Sequence, residues 1–218
     1  MAPRSTVQRS REHPVPGSVS AGVVSLPLAP LEDAELLRQL GEGRPAAFRE
    51  LFDRYARLLR GLLVRMLGVD SEIDDLVQES LIVVVKRSST VRDPRAFRSF
   101  VYSVGVRVAR NELRRRAVRR WVPWDEDVAS VRSVAAHDPV LTQTVRHIYQ
   151  TLDRLGPDLR VAFVLRFVEG RELTEAAALS GTSLATFKRR LSRATERFEL
   201  LASRDPVLAR WIEERRQP

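Results

Sequence analysis

Residues 45–68, PAAFRELFDRYARLLRGLLVRMLG, decide how this chain folds. Phe48, Leu51, Phe52, Tyr55, Leu58, Leu59, Leu62, Leu63, Met66 and Leu67 recur there at intervals of three and four, the period of one face of an α-helix. Pro45 suits a first turn, where its missing N–H is not needed, and Gly68 suits the stop. The reading is a long amphipathic helix that needs other apolar faces to cover it.

Those faces lie on both sides. Upstream, Leu36, Leu37 and Leu40 make a short stripe closed by Gly41 and Gly43. Downstream, Ser71 with Asp74 three residues later has the form of a capping box. It opens a helix whose apolar face is Ile73, Leu76, Val77, Leu81, Val84 and Val85. Asp93-Pro94 is a cap followed by a first-turn proline, starting a fourth helix through Phe97, Phe100, Val101 and Val104. The rhythm breaks from Trp121 to His137, around Pro123 and the acids Asp125, Glu126 and Asp127. Asp138-Pro139 restarts it, with Val145, Ile148, Tyr149, Leu152 and Leu155 on one face. A further helix is expected from about Asp158 to Val168, then two short ones on either side of Gly181, then a helical turn begun by Asp205-Pro206. No partnered strand pattern occurs. The predicted architecture is all-α: two small helical domains at 31–120 and 138–202, joined by a flexible linker at 121–137. A disordered extension rich in Pro, Ser, Gly and Ala is expected at 1–30, and a tail at 203–218.

Composition narrows the partners. The chain has 218 residues, 44% of them apolar but only 6% aromatic, which suits helix packing by Leu, Val and Ala. Lysine and arginine, nearly all of it arginine, outnumber acids by 37 to 28 for a net charge of +9, pointing to a polyanion. Cysteine is absent, and His13, His137 and His147 share no ligand-like spacing, so disulfides, thiolate metal sites and a metal cofactor are not expected. No apolar run reaches the ~18 residues of a membrane span. Val23 to Leu28 is too short for a signal peptide's apolar region, so the expected compartment is the cytoplasm.

Three constellations could carry function. Ala176 and Ala177, Gly181, and a helix bearing Ser183, Thr186, Lys188, Arg189, Ser192 and Arg193 have the parts of a helix-turn-helix. Small residues let two helices touch, glycine turns the corner, and donors face a major groove. A helical hairpin with a solvated basic face is the plainer alternative. Between Arg107 and Arg120, seven arginines meet only Glu112, a local balance of +6. Like charges four apart cost a helix about 0.2–0.5 kcal/mol each, so such a helix is expected to meet a polyanion. Phe97, Phe100 and Tyr102 precede it; Phe97 reads as core, while Phe100 and Tyr102 divide evenly between core and base-stacking surface. Asp74, Asp75, Gln78 and Glu79 crowd one helix start, where the dipole favours acids. With no histidine or second carboxylate cluster to complete a site, they read as a protein-contact or solvated face rather than a catalytic one.

In this order the elements resemble the extracytoplasmic-function group of the sigma-70 family. Asp75-Leu76-Val77-Gln78-Glu79 is similar to the stretch of sigma region two that docks on polymerase. Ala96 to Tyr102 is similar to the segment that opens the minus-ten element, and Arg107 to Arg120 to the helix after it. Leu155 to Ala194 is similar to region four. The resemblance implies that Asp75, Leu76, Gln78 and Glu79 meet the β′ clamp helices of RNA polymerase core, with the β flap a further polymerase contact. It implies that Phe100, Tyr102, Ser103, Arg107, Arg110, Asn111, Arg114 and Arg115 serve the minus-ten element. Ser183, Thr186, Lys188, Arg189, Ser192 and Arg193 would then serve the minus-thirty-five element. It also implies promoter DNA and an anti-sigma factor as partners, and no cofactor, small-molecule substrate or enzymatic activity. Phe100 stands where the family most often has tryptophan, Ala176 replaces isoleucine, Ala185 glycine and Phe187 valine. The competing expectation is a stand-alone helix-turn-helix regulator that binds an operator without polymerase.

Overall fold

The computed structural model describes residues 30–119 and 139–210. The expected extension, the linker and the end of the tail lie outside them. Among the described residues these α-helices run in order: α1 (Pro30–Gly41), α2 (Pro45–Leu67), α3 (Ile73–Arg87), α4 (Phe97–Arg119), α5 (Pro139–Asp153), α6 (Pro157–Phe163), α7 (Leu173–Leu179) and α8 (Leu184–Ala202). No strand occurs among the described residues.

α2 is the axis of the first half. Leu51, Tyr55, Leu59, Leu62, Leu63 and Met66 are buried against α3 and α4. Fully burying such a side chain contributes about 1.5–3 kcal/mol, so this stripe is the main source of stability in the half. Phe48 and Phe52 extend the stripe in sequence but stand out of the core; Phe52 is 51% exposed. The apolar stripe is wider than the surface α3 and α4 offer to cover it. Gly105 lets α4 approach closely: a β-carbon there would stand 2.8 Å from the terminal methyls of Leu59 and Leu62. Gly68 ends α2 at φ 88°, a conformation few other residues adopt.

Several local expectations need correction. Ser71 does not cap α3. Glu72 holds that position without a side-chain bond, and the Asp70 carboxylate instead accepts from the Glu72 N–H at 2.8 Å. Asp93 does cap, accepting from Arg95 N–H at 3.0 Å, but Pro94–Ala96 form a 3-10 turn and α4 begins only at Phe97. The helix expected to Val168 changes character at Val164, where Val164–Val168 widen into a π turn closed by Glu169 N–H to Val164 O at 2.9 Å. The helix after Gly181 is not short: α8 spans 19 residues. The turn after Asp205 forms as expected, its carboxylate accepting from Val207 and Leu208 N–H at 3.0 and 3.1 Å.

The two halves share one cluster of buried side chains running from α1 to α8. Polar anchors join them at the carboxyl end of α2, where the Met66 carbonyl lacks an intrahelical partner and Val64 O also accepts from Gly68 N–H at 2.8 Å. Arg160 of α6 is only 2% exposed and donates from Nε to Met66 O at 2.7 Å, while Nη1 pairs with Asp153. Tyr149 of α5 donates its hydroxyl to Val64 O at 3.3 Å. A cation at this helix end also complements the dipole.

Candidate nucleic-acid and polymerase interface

The helix-turn-helix is built as its residue types require. Ala176 and Ala177 are buried where α7 meets α8, Gly181 turns the corner at φ 66°, and Thr182 N–H returns to Ala177 O at 3.0 Å. Phe187 and Ala194 anchor α8 from below. Ser183 is the N-cap: its Oγ accepts from Thr186 N–H at 3.2 Å and donates to Thr186 Oγ1 at 3.0 Å. Both hydroxyls are thus occupied in holding the helix start. Lys188, Arg189, Ser192 and Arg193 are exposed. Ser192 donates to Glu196 at 2.9 Å, whereas Lys188, Arg189 and Arg193 form no ion pair with any described residue. Arg190, turned the other way, approaches Asp158 at 3.5 Å. The exposed cations can therefore reach phosphates or base edges without breaking a bond.

On α4, about 100° per residue places Phe100, Ser103, Arg107, Arg110, Asn111, Arg114 and Arg115 within an arc of roughly 140°. Tyr102 falls outside that arc, so it cannot share one DNA-facing surface with Phe100. Phe100 is half-buried and stacks on Phe97, ring centroids 6.4 Å apart. Ser103 spends its hydroxyl on Phe100 O at 2.8 Å. Arg107 and Asn111 are exposed. Arg115 stands 3.6 Å from Glu112 and 3.8 Å from Glu79. Glu112, the one acid of the arginine run, is 3% exposed and also holds Arg119 at 2.6 Å and Arg116 at 2.9 Å. It offsets the repulsion that the sequence left unbalanced.

Tyr102 is buried and reaches the second half. Its hydroxyl donates to the Glu169 carboxylate, which also pairs with Arg65, and Arg171 lies 4.7 Å over its ring. Burial pushes the Tyr102 phenol well above its usual pKa, and the adjacent Glu169 charge pushes it further. Arg110 Nη1 donates to Ser180 O at 3.0 Å, and Arg114 approaches Asp158 at 3.3 Å.

On α3, Asp75 and Gln78 are exposed and Glu79 is half-buried, whereas Leu76 is buried and serves the core. Ile82, 52% exposed, continues this stripe one turn on, a signal that spacing alone offered. A groove of about 730 Å³ separates α3 from α4, bounded by Asp75, Glu79, Arg115, Val118 and Arg119. Among the described residues no group of His, Asp or Glu side chains could hold a metal, and no helix is long and apolar enough to cross a membrane.

Comparison with known proteins gives these surfaces a family. Residues 51–119 match the family model for sigma-70 region 2, and residues 146–198 match that for sigma-70 region 4. The RNA polymerase sigma factor CarQ of Myxococcus xanthus is 30% identical over 177 residues, covering 80% of this chain and 100% of that protein. This chain is an extracytoplasmic-function sigma factor of the sigma-70 family. The ECF RNA polymerase sigma-E factor of Haemophilus influenzae is 29% identical over 182 residues, covering 78% of this chain and 94% of that one. Two solved structures share the fold at 21% identity: CnrH in complex with the cytosolic domain of CnrY, TM-score 0.54, covering 79% of this chain and 98% of that one, and RpoE of Bartonella quintana with the anti-sigma factor NepR, TM-score 0.53, covering 72% and 98%. As a sigma factor the protein works by binding, with RNA polymerase core and promoter DNA as its partners. Region 2 thus contains most of α2 with α3 and α4, and region 4 holds the helix-turn-helix. A stand-alone operator-binding regulator has no use for region 2, and that reading is not favoured.

Proposed function

We propose that this sigma factor divides promoter reading between its two halves, 31–120 acting as region 2 and 138–202 as region 4 across the 121–137 connector. Lys188, Arg189, Ser192 and Arg193 read the minus-thirty-five element in the major groove, with Ser183 and Thr186 shaping the helix start beneath them. The α4 arc of Phe100, Ser103, Arg107, Arg110, Asn111, Arg114 and Arg115 captures the opened minus-ten strand, with Tyr102 bracing α4 from its far side. Bases stack on aromatic surface and phosphates meet arginine, which offsets a few kcal/mol of unstacking. Asp75, Gln78 and Glu79 dock on the β′ clamp helices, with Leu76 supporting them from the core, and region 4 engages the β flap. The factor works in the cytoplasm, and an anti-sigma factor masks its polymerase-binding faces.

The observation that carries this reading is the contrast on α8: Lys188, Arg189 and Arg193 are exposed without ion pairs to any described residue, while Arg190 on the same helix is tied to Asp158. Footprinting of holoenzyme on a promoter it selects is the test. Lys188→Ala with Arg193→Ala should erase protection upstream near minus thirty-five while leaving polymerase binding intact. Unchanged upstream protection would remove α8 from the reading role.

A further inference from the structure

Seven arginines lie between Arg107 and Arg120, and no spacing in the sequence separates those that meet DNA from those that do not. The structure separates them at Glu112, a carboxylate 3% exposed that lines the groove between α3 and α4. Arg116 spends Nε on Glu112 at 2.9 Å and Nη2 on Asp70 at 2.9 Å. Arg119 spends Nη2 on Glu112 at 2.6 Å and points Nη1 at Glu72 from 3.8 Å. Each of these guanidiniums therefore has a carboxylate on two sides, and together they brace the end of α4 against the turn that precedes α3. That turn is itself held, since Asp70 accepts from the Glu72 N–H at 2.8 Å. Arg115 differs. Its Nη1 stands 3.6 Å from Glu112 and 3.8 Å from Glu79, too far for a hydrogen bond to either. At about 100° per residue Arg115 falls at the edge of the DNA-facing arc of α4, whereas Arg116 and Arg119 fall outside it. Exposure does not draw this distinction: the Arg115 side chain is 57% exposed and that of Arg119 59%.

We propose that Glu112 is a positioning residue for minus-ten recognition, dividing the arginine run into a brace, Arg116 and Arg119, and a DNA contact, Arg115. A guanidinium has donors to spare, so a carboxylate beside Nη1 orients Arg115 and leaves its other N–H groups for a phosphate. Unpaired, Arg116 and Arg119 would add phosphate attraction that is blind to sequence. Held on Glu112, Asp70 and Glu72, they do not. Glu112 thereby raises the share of binding that depends on base identity. This rests on the reading of α4 as the strand-capturing helix.

The test uses holoenzyme and a fluorescein-labelled promoter fragment that it selects from a library, beside the same fragment with its minus-ten segment scrambled. Anisotropy across a salt series gives affinity and salt slope for each. Arg115→Gln should weaken binding of the selected fragment at least about fivefold and lower its salt slope by about 1. Arg119→Gln, which removes the same charge at the same exposure, should stay within about twofold. Glu112→Gln should bind the scrambled fragment more tightly, with a salt slope steeper by about 1–2, and discrimination between the fragments should fall at least about fivefold. Adding Arg116→Gln and Arg119→Gln to Glu112→Gln should return the slope to that of the unaltered chain. A merely structural Glu112 would weaken both fragments in parallel and leave their ratio alone. That result overturns the proposal, as do equal losses for Arg115→Gln and Arg119→Gln; the latter contrast decides even where Glu112→Gln fails to fold. Arg107→Ala separates this from the reading beneath it. Lost affinity in Arg107→Ala beside either overturning result keeps α4 as the DNA helix, and no loss in any α4 variant overturns both.

Discussion

Replacing Arg160 by methionine isolates the anchor that ties region 4 to the end of α2. The guanidinium is 2% exposed, and its Nε bond to Met66 O is 2.7 Å long. A hydrogen bond from a charged donor contributes about 1.5–3 kcal/mol. Asp153, the ion-pair partner, is 47% exposed, so that pair adds at most about 0.5 kcal/mol, and Asp153 can return to water when it is lost. Against this, Nη2 has no hydrogen-bond partner, and burial pulls the Arg160 pKa down even with Asp153 opposing. Removing a charge so placed returns about 1 kcal/mol. Methionine fills much of the aliphatic stem's space. The net loss is about 1–2 kcal/mol, or about 0.5–1 M in a urea midpoint for a slope near 2 kcal/mol/M. Urea unfolding followed by circular dichroism and by inter-half energy transfer reads it, and the transfer signal should be lost first. A midpoint unchanged within about 0.2 M would refute the reasoning that this buried bond joins the halves.

Other consequences are equally direct. Gly105→Val should destabilise the protein by about 1–3 kcal/mol through overpacking against Leu59 and Leu62, read as a fall in Tm. Lys188→Ala and Arg193→Ala should each lower the slope of log affinity against log salt for minus-thirty-five duplex by about 1, and thermal stability should hold within about 0.5 kcal/mol. Asp75→Arg should weaken core polymerase binding about tenfold or more by charge reversal on an exposed face, measurable by anisotropy, with Tm unchanged. Burial alone would raise Asp205, but the His147 ring at 2.7 Å and the Val207 and Leu208 N–H groups outweigh it and hold its pKa below the ordinary 3.8. A depressed carboxylate adds stability above its unfolded pKa and loses it as pH falls through the folded value. Amide exchange at Val207 and Leu208, corrected for intrinsic rates, should therefore accelerate below pH 3.8, and Asp205→Asn should abolish that dependence.

The elements most legible in the sequence were those whose signal is local. Pro45, the three-and-four spacing and Gly68 give α2 its start, face and stop, and Ala177 with Gly181 give the helix-turn-helix its corner. The length of α8 was legible too, in Leu191, Ala194, Phe198 and Leu201, but interleaved arginine and serine hid that spacing. What escaped was set by neighbours distant in sequence. Nothing in the string around Arg160 says that its partner is a backbone carbonyl 94 residues away. Tyr102 and Phe100 are two residues apart, and helix geometry alone separates their faces, but only the position of Glu169 reveals what Tyr102 meets. Phe48 and Phe52 read as core because apolar spacing reports a stripe and not the width of its cover. Glu112 looked like one acid among seven arginines, and its burial depends on how α4 lies against α3.

In the proposed division of roles, this chain confers promoter choice on RNA polymerase through α4 and α8. Transcription by purified core polymerase on a library of promoter fragments, with and without the protein, is the decisive assay. Initiation at a defined subset of fragments is expected only when the protein is present, with selection of the upstream element lost in Lys188→Ala with Arg193→Ala. Initiation indifferent to the protein, together with binding to duplex DNA in the absence of core, would contradict it.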